Sequence, residues 1–182
     1  MNQFSKRRSV RVRKSSQSPA LHLAVSGTPG TGKTTLAKRI SKLFDIQYIS
    51  LIDLILANKL QERYDRRAKT YDVSVPKVER FLQKNLDRSD SYVIDSHLGQ
   101  LLPKEIVDSV AVTTCKLSVL DKRLRRRRYS AQKRRDNLDA EIFQVCYTES
   151  INNKKKTITI DCTKKMSDVA LKARLRPLLR RR

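Results

Sequence analysis

Residues 23–36 read LAVSGTPGTGKTTL, and the residue types in this stretch suit one kind of chemistry. Gly27-Thr28-Pro29-Gly30-Thr31-Gly32-Lys33-Thr34 fits the pattern G-x-x-x-x-G-K-[ST] without a mismatch. Glycines lack the Cβ that would keep backbone N–H groups from converging on phosphate oxygens. Lys33 places a compact positive charge on the β- and γ-phosphates, and Thr34 offers its hydroxyl to a magnesium ion. The helix that follows turns its positive end to the same anion. A structural glycine turn with an incidental lysine would fit the pattern too. The apolar strand before the turn and the amphipathic helix after it favour a nucleotide site.

Phosphoryl transfer also needs a carboxylate on the metal side, commonly at the end of a neighbouring strand. Tyr92-Val93-Ile94-Asp95 supplies one, with magnesium reached partly through water. Asp161 also ends an apolar run, where capping is its expected role. His97 follows two residues after Asp95, at the carboxyl end of a strand, where ligands bind in open α/β sheets. It is placed to orient a water or an acceptor. His22 opens the first strand and reads as structural. The run Lys122-Arg-Leu-Arg-Arg-Arg-Arg-Tyr129 could be a solvated helix face. Arginines on a closing lid also neutralise a transferring phosphoryl group, and helical geometry lets only one or two of the four do so.

The elements that must hold these groups alternate. Strands are expected at Leu21–Ser26, Ile46–Ile49, Tyr92–Asp95, Ser109–Thr113 and Thr157–Asp161. Helices are expected at Lys33–Phe44, Leu51–Glu62, from a Ser74 cap to about Asp87, at Leu117–Arg127, at Arg135–Ile151 and from about Ser167. The Arg135–Ile151 helix would bury Leu138, Ile142, Val145 and Cys146. Tyr64–Asp72, YDRRAKTYD, reads as polar and mobile, and the tail LRPLLRRR as frayed. Five strands separated by helices imply an α/β fold, a parallel sheet covered on both faces.

The chain has 182 residues, enough for one domain with a sizeable core. Forty-one Lys and Arg against 18 acids give a formal charge of +23, far beyond what solubility requires. Such a charge points to a polyanionic partner, and RNA fits best. Cys115, Cys146 and Cys162 have no paired spacing, which argues against a disulfide framework or a zinc site and fits a reducing compartment. The first 20 residues hold basic groups, no acid and no apolar core, unlike a secretory signal. They read as a disordered, basic arm, either RNA-touching or a nuclear address.

Together GTPGTGKTTLAK, YISLIDL, VIDSHLGQLLP and RLRRRRYSAQKRRDNLDAEIFQVCYTES resemble the adenylate kinase isoenzyme 6 family, the CINAP/Fap group of P-loop proteins. The resemblance runs in order from about Leu21 to Asp168. It implies a nucleoside-monophosphate-kinase-like domain over 21–176, with a monophosphate lobe at about 50–69, a lid at about 126–136 and a basic tail at 177–182. ATP would be held by Gly27, Gly30, Thr31, Gly32, Lys33, Thr34 and Thr35, with Arg127 reaching it from the lid. Ser50 and Asp53 would serve AMP. Asp95 and His97 match the family's Asp-x-His, which replaces an arginine-bearing segment of ordinary adenylate kinases.

The resemblance implies an enzyme converting ATP and AMP to two ADP with Mg²⁺, with an associated ATPase activity. It also implies a monomeric chain with a role in small ribosomal subunit maturation, beside a platform ribosomal protein and rRNA, in the cytoplasm and also the nucleus if the source is eukaryotic. Two other readings stay open. One is an ATP-hydrolysing assembly switch with vestigial kinase activity, and the other a polynucleotide 5′-hydroxyl kinase. The chain departs from the family at two places. Arg128 stands where a lid glycine is common, and RYDRRAKTYD replaces an acidic stretch.

Overall fold

The computed structural model describes residues 20–65 and 70–179. The N-terminal arm up to residue 19 and the last three residues lie outside them. The described residues form seven strands and seven helices, in the order β1 (His22–Ser26), α1 (Lys33–Phe44), β2 (Gln47–Ser50), α2 (Leu51–Ala57), β3 (Gln61–Asp65), β4 (Thr70–Val73), α3 (Val75–Asn85), β5 (Tyr92–Asp95), β6 (Ser109–Thr114), α4 (Leu117–Arg126), α5 (Ala131–Ile142), α6 (Val145–Asn152), β7 (Lys156–Asp161) and α7 (Asp168–Leu179). Five strands form one parallel sheet in the order β2-β5-β1-β6-β7. A separate antiparallel hairpin pairs β3 with β4. The expected α/β class and the five sheet strands are present.

Each sheet strand sends alternate residues to opposite faces, which builds two cores from one sequence run. Leu23, Val25, Val93, Ala111 and Ile160 pack with Leu36, Ala37 and Ile40 of α1 and with Leu171, Leu175 and Leu178 of α7. Ala24, Ile49, Ile94, Val110 and Val112 face the other way, toward Leu51, Leu54 and Ile55 of α2 and Val78 and Leu82 of α3. β1 is buried along its whole length because it lies mid-sheet with helices on both faces. The chain steps to one side of β1 for β2 and β5, then crosses to β6 on the other. The carboxyl ends of β1, β5 and β6 therefore open on a crevice at the strand-order switch.

Several expectations need correction. The helix from Leu51 stops at Ala57, and Gln61 and Glu62 belong to β3. The polar Tyr64–Asp72 segment, read as mobile, contributes to the hairpin. Pairing Tyr64 with Tyr71, rings 4.9 Å apart, replaces the apolar alternation that would have signalled strands. The helix read over Arg135–Ile151 is two helices, broken where Gln144 adopts φ 50. Just before the break Ile142 is 54% exposed, so the continuous apolar face does not form. The tail is helical through Leu179, because Leu175 and Leu178 are buried. Ser74 occupies the start of α3, but its side chain makes no capping bond.

Candidate active site

The phosphate loop leaves β1 at Gly27, whose φ is 136. A Cβ there would fall on the Thr113 hydroxyl and within 2.5 Å of the Thr113 carbonyl oxygen, so only glycine lets the loop pass β6. Thr113 donates to the Ser26 carbonyl at 3.0 Å, and its hydroxyl meets that of Thr31 at 2.6 Å. Thr31 also donates to Thr28 O at 2.7 Å. Its side chain is fully buried and committed to the loop itself, so of Thr31 only the backbone can meet a phosphate. The Arg123 guanidinium donates to Thr31 O at 3.1 Å and to Cys162 O at 2.9 Å, clasping the loop to the turn after β7.

Lys33 opens α1, and its ammonium donates to Gly27 O at 2.7 Å and Thr28 O at 3.1 Å. Burial lowers its pKa to about 8. Nearby Cys146 and Asp95 oppose that shift, and Arg127 adds to it. An anion arriving at the loop would restore the full charge, since an opposite charge favours the ammonium. Cys146 comes from α6, and burial pushes its thiol up from the ordinary range.

Two cavities flank the loop. One, about 430 Å³, is lined by Gly30, Gly32, Thr35, Arg39, Arg127 and Cys162 among others. Its floor joins the loop, the end of α4 and the turn after β7, and Leu36 and Ile160 supply apolar surface. The second, about 780 Å³, is lined by Lys33, Thr34, Asp95 and His97 on one side and by Tyr64 and Tyr71 of the hairpin on the other. Lys33 and Thr34 therefore stand between a cavity of nucleoside size and a cleft that contains the carboxylate and the imidazole.

At the edge of the cleft, Asp95 Oδ2 accepts the Tyr48 hydroxyl at 3.1 Å. Burial and then Asp95 push the Tyr48 phenol up to about 12, so it remains a donor. His97 keeps an exposed edge on the cleft, yet burial of the rest of the ring lowers its pKa. Lys33 lowers it further, and Asp95 opposes. The imidazole is neutral near pH 7 and can accept a proton. Beneath it, Gln100 donates to His97 O and to Glu149 Oε2, both at 2.9 Å, and Ser26 donates to Gln100 Oε1.

The sequence-derived residues fall into three groups. Gly30, Gly32, Thr35 and Arg127 line the first cavity, while Lys33, Thr34, Asp95 and His97 line the second. Gly27, Thr31, Ser50 and Asp53 line neither. Ser50 instead accepts the Asp53 N–H at 3.4 Å and caps α2. Of the arginine run, Arg123 is the loop clasp and Arg125 pairs with Asp121 at 2.8 Å. Arg128 sits at φ 56, which explains why glycine suits this position. Asp161 caps no helix; it accepts the Thr163 N–H at 2.8 Å in the turn after β7. Tyr48, Gln100, Glu141 and Glu149 were not singled out from sequence. Glu141 accepts the Cys115 N–H at 2.8 Å and anchors the end of α5.

Fold and site together define a P-loop nucleotide kinase. Over residues 23–144 the chain matches the family described as an AAA domain. It is 37% identical over 129 residues to the adenylate kinase isoenzyme 6 homolog of Schizosaccharomyces pombe, covering 71% of this chain and 73% of that protein. It is 31% identical over 141 residues to adenylate kinase isoenzyme 6 homolog FAP7 of Saccharomyces cerevisiae, covering 77% and 71%. The structure of the YorR protein of Bacillus subtilis, in complex with phosphorylated GDP, aligns with a TM-score of 0.53 over 85% of this chain and 96% of that one. At 16% identity that is a likeness of fold. The chain belongs to the adenylate kinase isoenzyme 6 family.

Proposed function

We propose that the protein transfers the γ-phosphoryl group of Mg-ATP to AMP, giving two ADP. The observation that carries this reading is the pair of cavities flanking the phosphate loop, one lined by Gly30, Gly32 and Thr35 and the other by Lys33 and Thr34. A hydrolase needs only the first; the second, walled on one side by two tyrosines, has room for an acceptor nucleoside. An AMP phosphate oxygen attacks the γ-phosphorus as its bond to the β-phosphate oxygen breaks, and Lys33 and Arg127 offset charge on the moving group.

Among the described residues no three Asp, Glu, His or Cys side chains cluster as a metal cage. Thr34 and Asp95, which share the cleft, suit magnesium held jointly with phosphate oxygens. There the ion would neutralise phosphate charge and fix its geometry, while Tyr48 keeps Asp95 oriented.

A second reading rests on His97. A neutral imidazole at the cleft can take a proton from water, which suits ATP hydrolysis when no AMP is bound. The +23 charge supports an RNA-rich setting, and with the family resemblance it supports work on the small ribosomal subunit beside a ribosomal protein and rRNA.

Chromatographic product counting with Mg-ATP, with and without AMP, tests the proposal. Loss of AMP with two ADP formed per ATP supports the kinase. Free phosphate with AMP untouched supports the hydrolytic reading, and label on the 5′ end of an added RNA oligonucleotide would overturn both.

A further inference from the structure

β7 is the last strand of the main sheet, and among the described residues no strand pairs with its outer edge. The Cys162 N–H donates to Thr114 O at 2.8 Å, toward β6. Backbone groups of a strand alternate sides, so Thr157, Thr159 and Asp161 turn their N–H and C=O groups outward. Thr159 O shows this directly, since it accepts from Arg174 Nε at 3.3 Å, on the side away from β6.

Along this edge runs a groove of about 920 Å³ between the α5–α6 junction and α7. Leu117, Ile142, Ile158 and Pro177 give it apolar walls, and Lys116 and Arg174 stand at its rim. Glu141 is the one acid that lines it, and its carboxylate already accepts the Cys115 N–H. The break at Gln144 leaves Ile142 54% and Phe143 73% exposed beside it. Surface apolar side chains grouped along a groove mark an interaction site more often than a solvated face. The Lys154-Lys155-Lys156 run leads into the same strand.

We infer that the outer edge of β7 is a docking site for an extended segment of a partner protein that alternates acidic and apolar residues. The segment adds as a sixth strand. Its backbone pairs with the outward groups of Thr157, Thr159 and Asp161, its apolar residues enter the groove, and its acids meet Lys116 and Arg174. Arg174 selects the partner. By covering Thr159 O it discourages edge pairing with a second copy of this basic chain, while an incoming carboxylate draws it aside. A polypeptide fits better than RNA because the site offers backbone donors and acceptors and apolar walls rather than a phosphate track. This inference is independent of the nucleotide chemistry proposed above.

Fluorescence anisotropy on the full chain tests it, with a labelled peptide alternating Val and Glu as probe. The peptide should bind, and its backbone N-methylated form and a Val–Lys counterpart should bind at least about tenfold more weakly. Thr159→Pro and Ala173→Glu should each weaken binding by a similar factor with ATP affinity unchanged. Ala173 is exposed, so its variant keeps the test valid if the proline unfolds the strand. Absence of binding, or equal binding by the N-methylated peptide, overturns the inference. So does equal binding by the folded Ala173→Glu protein, displacement of the peptide by an RNA oligonucleotide, or sedimentation showing copies of this chain joined through the same edge.

Discussion

The two sides of the phosphate loop are built differently. On the donor side, Thr31, Thr113 and Ser26 lock together out of solvent, and Arg123 clasps the loop to the turn after β7. On the side proposed for the acceptor, a two-stranded hairpin stands apart from the main sheet, with Tyr64 47% and Tyr71 39% exposed. A site that must bind every cycle in one geometry is pre-formed by buried hydrogen bonds. A site that must admit a second substrate and expel water is left to elements with little buried surface.

The largest expected effect breaks the comparison at its hinge. Lys33→Ala should lower ADP formation by about 10²–10³-fold while circular dichroism stays unchanged, because the lysine faces the cleft and its hydrogen bonds go to loop carbonyls rather than to the sheet or helices. Turnover within about twofold of wild type would remove Lys33 from the chemistry.

The next effect belongs to the donor side and to pH. Burial disfavours the charged Lys33, so the free protein loses that proton near pH 8, whereas the phosphate-bound form keeps it to higher pH. Binding therefore takes up a proton above about pH 8, and affinity for ADP without metal should fall by up to about tenfold per pH unit there. Titration calorimetry in buffers of different ionisation enthalpy reads this uptake. Equal heats in all buffers would mean that Lys33 is charged in the free protein.

On the acceptor side, Tyr64→Ala removes one wall of the cleft. KM for AMP should rise about threefold to tenfold, from a lost aromatic contact of about 1 kcal/mol, while ATP hydrolysis without AMP is unchanged. A matching loss of hydrolysis would show that the hairpin supports the donor side too.

The smallest effect concerns the lid. Arg128→Gly relieves a left-handed residue, and after the extra freedom of glycine in the unfolded chain it should stabilise by about 0.5 kcal/mol. Thermal melting reads it as a rise of about 1–2 °C. Arg128→Ala should give no rise, because alanine keeps the Cβ.

The same contrast decides what the sequence could reveal. The donor loop is contiguous, so residue types and spacing from Gly27 to Thr34 were sufficient to place it. Asp95 was legible because it ends an apolar strand, and His97 because it follows two residues later. The second cleft gathers Lys33, Asp95 and the hairpin from distant segments, and no local spacing unites them. Ser50 and Asp53 followed the family pattern but serve a helix cap. The break at Gln144 was hidden because no glycine or proline marks it. The hairpin was hidden because its pairing rests on two tyrosines in an otherwise charged stretch.

The Arg123 clasp also bears on how the molecule opens. It joins backbone carbonyls on both sides of the donor cavity, so the phosphate loop and the turn after β7 cannot loosen separately without stranding a half-buried guanidinium. They form one cooperative unit of local unfolding. A nucleotide that steadies the loop therefore slows amide exchange in the turn as well, and the end of the last sheet strand becomes most ordered when the enzyme is loaded.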